Sequence, residues 1–290
     1  MDDIYILSEE EIKLQIPLLK EIPQPPKKLH IKGMLPKEGS RVLCVVGSRR
    51  HSSYGEEACR KLISGLKGYN ICIVSGLAIG IDGIAHRAAL EAGLQTIAFP
   101  GSGLDQKILY PSQHSRLAEE MLFAGGGLIS EFEMNQAGAH WTFPQRNRLM
   151  AGISHATLVI EAGLKSGTLI TSKFATEYNR DVGAVPGQIT SQLSEGPHML
   201  IRIGATPITC SDDILEMLGF NRPEGAVQKE LPLGLSENEK KIIQLLQVES
   251  MTSEMLVMKT GLPTREVQQT VSSLEIQNII TASSSKLSLL

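Results

Sequence analysis

From Arg41 onward, short apolar, β-branched runs alternate with helix-length segments. The runs fall at 42–46, 71–74, 96–99, 128–130, 157–160, 182–185 and 207–209. They are apolar on both faces, as strands are when helices cover a parallel sheet on either side. Between them, 54–66 places apolar residues at helical spacing, and 84–91 is an alanine-rich helix suited to close packing on a sheet. The pattern predicts an α/β fold, a doubly wound, mostly parallel sheet spanning 41–220.

The two ends read differently. In residues 1–40, Pro17, Pro23, Pro25 and Pro26 break any long helix, and 29–31 can add an edge strand; this part is expected to be an N-terminal extension. Residues 221–235, with Pro223, Gly225, Pro232 and Gly234, read as a linker. Ser236-x-x-Glu239 then forms a capping box that opens a helix through Leu246. A second helix is expected over 252–259, a third from after Pro263 to about Gln277, and a hairpin over 279–290. Three helices and a hairpin predict a small winged-helix domain at 236–290.

Composition narrows the class. A chain of 290 residues suffices for one large and one small domain. With 42% hydrophobic and 20% charged residues it has the make-up of a soluble globular protein. No run reaches the roughly 18 to 20 apolar residues of a membrane helix, and Asp2-Asp3 replaces the basic start of a signal peptide. A cytoplasmic protein without membrane insertion is expected. Cys44, Cys59, Cys72 and Cys210 form no C-x-x-C pair, so reduced thiols are expected and no metal site or cofactor.

The net charge of −3 excludes a whole-protein positive field. By region it is −1 over 1–40, 0 over 41–140, +3 over 141–180, −4 over 181–220 and −1 over 221–290. A nucleic-acid site would therefore be local, and 141–180 is the positive block.

The first strand runs into Gly47-Ser48-Arg49-Arg50. The first β-to-α turn of this architecture aims backbone N–H groups at the crevice above the strand ends. Neither a G-x-G-x-x-G fingerprint nor a Walker lysine loop is present; two arginines suit phosphate held by forked contacts, and read equally well as solvated charges on a loop. The next two strands end in Ser75-Gly76-Leu77-Ala78-Ile79-Gly80 and Gly101-Ser102-Gly103. Three glycine-rich endings on one edge favour a ligand along the carboxyl edge of the sheet.

Inside the positive block lies His140-Trp141-Thr142-Phe143-Pro144-Gln145-Arg146-Asn147-Arg148. A ring beside guanidinium groups is what single strands use, bases stacking while phosphates are neutralised. Phe143 is assigned this role and Trp141 is expected in the packing. Ser166-Gly167-Thr168 opens a helix carrying Thr171, Ser172 and Lys173, again suited to an anion. Glu161 has no partner carboxylate, and Asp82 with His86 makes no triad, so no catalytic residue is assigned.

These motifs, with Tyr110-Pro111, Glu161-Ala162 and Val185-Pro186-Gly187, occur in order over roughly 15–220 and resemble the DNA-processing protein A (DprA/Smf) family. The resemblance implies an extended Rossmann-like domain that binds single-stranded DNA, dimerises, protects incoming strands and loads RecA recombinase during natural transformation. Carried over by motif, Gly47, Ser48 and Arg49 would hold phosphate, Phe143 would stack on a base, and Arg146 with Asn147 would line the pocket. Local chemistry adds Arg50, Gly76, His140, Ser166, Gly167 and Lys173. Against the family pattern, the N-terminal helical domain that many members place ahead of the Rossmann part is expected to be absent. The chain also has a loop two residues longer between Asp105 and Tyr110, His114 where asparagine is common, and Ser112 and His140 at positions that are basic in some members.

Two other classes compete. A Rossmann-like phosphoribohydrolase would use Glu161 on a ribose-linked base, although the Gly-Gly-x-Gly-Thr-x-x-Glu motif of such enzymes is missing. A scaffold acting only through the winged helix would depend on 221–290.

Overall fold

The computed structural model describes residues 4–220, 236–246, 251–277, 279–283 and 286–289, and the chain divides at 224/225 into two units. The first holds a nine-stranded sheet. In chain order its strands are β1 (Ile4–Ser8), β2 (Lys28–Gly33), β3 (Arg41–Val46), β4 (Ile71–Ser75), β5 (Gln95–Ala98), β6 (Gly127–Ser130), β7 (Ala156–Val159), β8 (Asp181–Ala184) and β9 (Thr206–Pro207). Across the sheet the order is β1-β2-β6-β5-β4-β3-β7-β8-β9. Every pairing from β6 to β9 is parallel, and β1 and β2 are antiparallel additions beyond β6.

The strands sort their side chains between two cores, because successive residues of a strand face opposite ways. Leu43 and Val45 of β3, with Ile71 and Ile73 of β4, pack with Cys59, Leu62 and Ile63 of α2 (Ser53–Ser64) and with Ile81, Ile84 and Ala85 of α3 (Ile81–Glu91). Val42, Cys44 and Val46, with Cys72 and Val74, join Leu149, Met150 and Ile153 of α5 (Thr142–Ile153) on the other face. Both faces of the central strands are thus buried, which is why their sequences do not alternate. Between these helices lies α4 (Ser115–Phe123); α6 (Thr168–Glu177), α7 (Glu195–Arg202) and α8 (Ser211–Met217) complete the unit.

Residues 4–33 are not a separate extension. Leu7, Ile12, Ile16, Leu19, Ile22, Leu29 and Ile31 are built into the same core as α5, and β2 lies inside the sheet with β1 outside it. The prolines do stop a long helix: α1 (Glu9–Gln15), closed at its start by the Ser8–Glu11 capping box, is followed by a 3-10 turn, Pro17–Lys20. These short pieces put an apolar residue inward every three to four positions, and tertiary burial rather than local propensity decides their place.

In the second unit, α9 (Glu237–Leu246), α10 (Ser253–Thr260) and α11 (Thr264–Ile276) precede an antiparallel pair, β10 (Ile280–Ser283) and β11 (Lys286–Leu289). Ser236 and Glu239 make the reciprocal bonds of a capping box, Ser236 N–H to Glu239 Oε2 at 2.7 Å and Glu239 N–H to Ser236 Oγ at 3.3 Å. Ile242, Ile243, Leu256, Val267 and Leu274 form its core. The expected linker, 221–235, lies outside the described residues.

Candidate nucleic-acid interface

The sheet order reverses at β3, which is flanked by β4 on one side and β7 on the other. Loops leaving the carboxyl ends of these strands diverge, and ligands of open α/β sheets bind in the crevice so formed. A cavity of about 690 Å³ lies there. The turn 46–50 after β3, Phe143, Pro144, Arg146, Asn147 and Met150 of α5, Ser166, Gly167, Thr168, Ile170 and Thr171 at the start of α6, Ala78, Asp82, Gln192 and Leu193 supply its lining.

The turn after β3 is held from below. Gly47 carbonyl accepts a hydrogen bond from Thr168 Oγ1 at 3.0 Å, Ser48 carbonyl accepts from Ile81 N–H at 3.2 Å, and Arg50 N–H donates to Ser48 Oγ at 3.1 Å. Gly80, at φ +87°, lets the start of α3 come against Ser48 and Arg49, where a Cβ would overlap the Ser48 carbonyl. With its backbone pinned, the turn leaves Arg49 and Arg50 exposed. The Arg49 guanidinium carbon stands 5.2 Å from the centroid of the Phe143 ring, over its face.

Phe143, half-buried in the first turn of α5, packs against Gly101, where a Cβ would overlap the ring. Its neighbour Thr142 ties the helix start to the same loop, donating to Gly101 carbonyl at 2.6 Å. Tyr110 stands 6.1 Å from Phe143, centroid to centroid.

Arg146 occupies a different environment. It is 5% exposed, donates to Gly76 carbonyl at 2.6 Å and to Phe99 carbonyl, and its Nε donates to Asn147 Oδ1 at 3.1 Å. Asp82 lies beside it and accepts from Gly76 N–H at 3.1 Å. Burial pushes the Asp82 carboxyl up, opposed by the Arg146 charge; burial lowers the Arg146 guanidinium to about 10, opposed by Asp82. The guanidinium reaches the cavity wall, but its donors hold together the loops after β4 and β5.

Nine of the twelve residues singled out from the sequence line the cavity: Gly47, Ser48, Arg49, Arg50, Phe143, Arg146, Asn147, Ser166 and Gly167. Three do not. Gly76 lies behind Arg146 as its acceptor, His140 is exposed outside the lining, and Lys173 is an exposed side chain 3.7 Å from Glu177, one helical turn on. Arg146 lines the cavity with Asn147, and it does so as a buried tie, because two carbonyls, an amide and a neighbouring carboxylate surround it. Trp141, expected in the packing, is 58% exposed. Glu161 braces Ser52, the N-cap of α2, instead of lining the cavity: its carboxylate accepts from Ser52 N–H at 2.9 Å and from Ser52 Oγ at 2.5 Å. His114 braces the glycine-rich loop, its Nδ1 lying 2.8 Å from Leu77 carbonyl.

Gln192 and Leu193 were not legible beforehand. They belong to a polar stretch with no motif, and they reach the cavity because Leu193 carbonyl accepts from Ala162 N–H at 2.8 Å, bringing their 3-10 turn onto the loop after β7.

The family model described as DNA recombination-mediator protein A matches residues 10–219, most of the chain and all of the cavity. The chain belongs to the DNA recombination-mediator protein A family. Among its relatives, Protein Smf of Escherichia coli K12 is 45% identical over 195 residues, 67% of this chain and 52% of that protein. DNA processing protein DprA of Streptococcus pneumoniae is 41% identical over 204 residues, 70% of each chain. The chain therefore spans about half the length of the Escherichia coli relative. The crystal structure of the pneumococcal DprA superposes with a TM-score of 0.68 at 38% identity, covering 74% of both chains. A Helicobacter pylori DNA processing protein A, whose structure concerns its single-stranded DNA binding mode, gives a TM-score of 0.66 at 26% identity, covering 75% of this chain and 96% of that one. The recombination-mediator match starts within α1, so it includes much of the segment that sequence patterning set apart. Among the described residues of this family member, no helix is long and apolar enough to cross a membrane, and no cluster of three or more His, Cys, Asp or Glu side chains could hold a metal ion.

Proposed function

We propose that the chain binds single-stranded DNA at the β3/β7 crevice, protects incoming strands and passes them to RecA recombinase during natural transformation, acting as a cytoplasmic homodimer and not as an enzyme. One observation carries this reading: the Arg49 guanidinium over the half-exposed Phe143 ring at a cavity lined by both polar and apolar side chains. A base can stack on that ring while the cation and the backbone amides of Ser48 and Arg49 hold its phosphate. Asn147, Ser166, Gly167 and Thr168 supply further polar contacts, and Arg146 positions the loops around them. The single-strand binding of the Helicobacter pylori relative supports the same ligand class.

For 236–290 we keep the winged-helix assignment, on three helices followed by a hairpin. Its α11 carries Arg265 as its one cation, too few for strong duplex binding, which needs several phosphate contacts.

The test is a gel shift of the full chain on single- and double-stranded DNA across salt. Preference for single strands, weakening as salt rises, is expected, with Arg49→Glu and Phe143→Ala folded but defective. Unchanged affinity in both variants would overturn the pocket assignment. Assembly of RecA on strands coated by single-strand binding protein tests the transfer step, and absence of stimulation removes it.

A further inference from the structure

We propose that a bound strand continues beyond the cavity and that Trp141 stacks a second base there. The inference rests on the single-strand reading above and extends its footprint by a nucleotide the cavity does not hold.

Trp141 is 58% exposed, an unusual position for so large an apolar ring. It is nonetheless supported from one side. It occupies the N-cap position of α5, two residues before Phe143, and meets the buried Phe132 edge to face at 5.8 Å and 84°. One part of the indole is therefore buttressed while much of its surface faces solvent. Trp141 is not part of the cavity lining, so a base on it belongs to a different nucleotide from the one on Phe143. Tyr110, 50% exposed, stands 6.1 Å from Phe143, a further exposed ring beside the one that lines the cavity.

The electrostatic surroundings tolerate a polyanion. His140 is exposed next to Trp141. The two carboxylates following β6 are each held by a cation, Glu131 by Arg148 and Glu133 by Lys28. A supported, solvent-facing ring of this size takes any nucleobase by stacking, because every base has a π face.

Trp141 is the single tryptophan of the chain, so intrinsic emission reports on it alone. The full chain is titrated with thymidine 5′-monophosphate and with an oligothymidylate of about ten nucleotides, within the length range of single-strand sites, with anisotropy of the labelled oligothymidylate recorded in parallel. The strand should quench the emission and saturate at the concentration at which anisotropy saturates, whereas the mononucleotide, whose one base is taken by Phe143, should leave the emission unchanged. Trp141→Ala should weaken the strand roughly tenfold, a typical worth of one base stack, and Trp141→Phe should restore most of the loss. Unchanged emission at saturation, or full affinity of Trp141→Ala for the strand, would overturn the inference and leave the ring to a protein contact. A wild-type chain that does not bind the oligothymidylate by anisotropy would instead overturn the single-strand reading itself.

Discussion

Two regions of the first unit bring arginines to the same crevice, and they use them in opposite ways. The turn 47–50 comes from a segment of zero net charge, yet its Arg49 and Arg50 are exposed, one of them over an aromatic ring. Segment 141–180 carries +3, yet most of that charge is consumed internally. Arg146 is buried against two carbonyls and beside Asp82, Arg148 is held by Glu131 and donates to Gln24 carbonyl at 2.5 Å, Arg180 reaches Glu21 at 2.7 Å, and Lys173 stands by Glu177. The +3 segment thus supplies part of the cavity wall, but with cations that are mostly paired inside the protein. Positive charge in a sequence becomes positive field only where folding leaves it without a nearby anion.

The sharpest way to break this contrast is Arg146→Ala against Arg49→Ala. Removing Arg146 strands Asp82 and two carbonyls in the interior and should lower unfolding stability by about 3 to 5 kcal/mol, as breaking buried ion pairs does; loss of an exposed arginine should stay within about 0.5 kcal/mol. Equal losses in denaturant unfolding would erase the distinction. Next in size is Arg49→Glu, which should weaken single-strand affinity by about ten- to a hundredfold, the worth of a charged hydrogen bond, with the unfolding midpoint unmoved.

A pH series adds a smaller effect on the buried side alone. Burial lowers His86 to about 3, helped by the charges of His114 and Arg146. Below its unfolded value near 6.5 the unfolded chain takes up a proton that the folded chain refuses, so the contribution of neutral His86 is complete above about pH 6.5 and is lost as pH falls toward 3, at about 1.4 kcal/mol per pH unit. The melting temperature should therefore fall more steeply between pH 7 and pH 5 in the wild type than in His86→Gln, while single-strand contacts by Arg49 keep their charge. The smallest effect separates two cations by salt: Arg50→Ala should reduce the slope of log affinity against log salt by about 0.7, one phosphate contact on a single strand, and Lys173→Ala should leave it unchanged.

Much of the fold was legible because burial on both faces leaves a mark in composition. The runs at 42–46 and 71–74 are apolar throughout, and each became a central strand with its residues divided between two cores. The N-terminal segment was not legible as part of that sheet, since Leu7, Ile12, Ile16, Leu19 and Ile22 are spread over a strand, a short helix, a 3-10 turn and the residues that join and follow them, no element being long enough to set a period. At the site, Arg49 and Phe143 could be picked out by residue type, because a phosphate needs a cation and a base needs a ring. Gln192 could not, because its place depends on a backbone bond between distant loops.

By itself the sequence determined the element types, the glycine-rich strand endings and the family, since these rest on local periodicity, turn chemistry and motif order. Tertiary structure alone decided which of the arginines face solvent, that Trp141 stands outside the core, and that residues 4–33 join the sheet. These outcomes follow from what lies across space from each side chain, and a buried carboxylate, a carbonyl or a neighbouring strand can come from any distance along the chain.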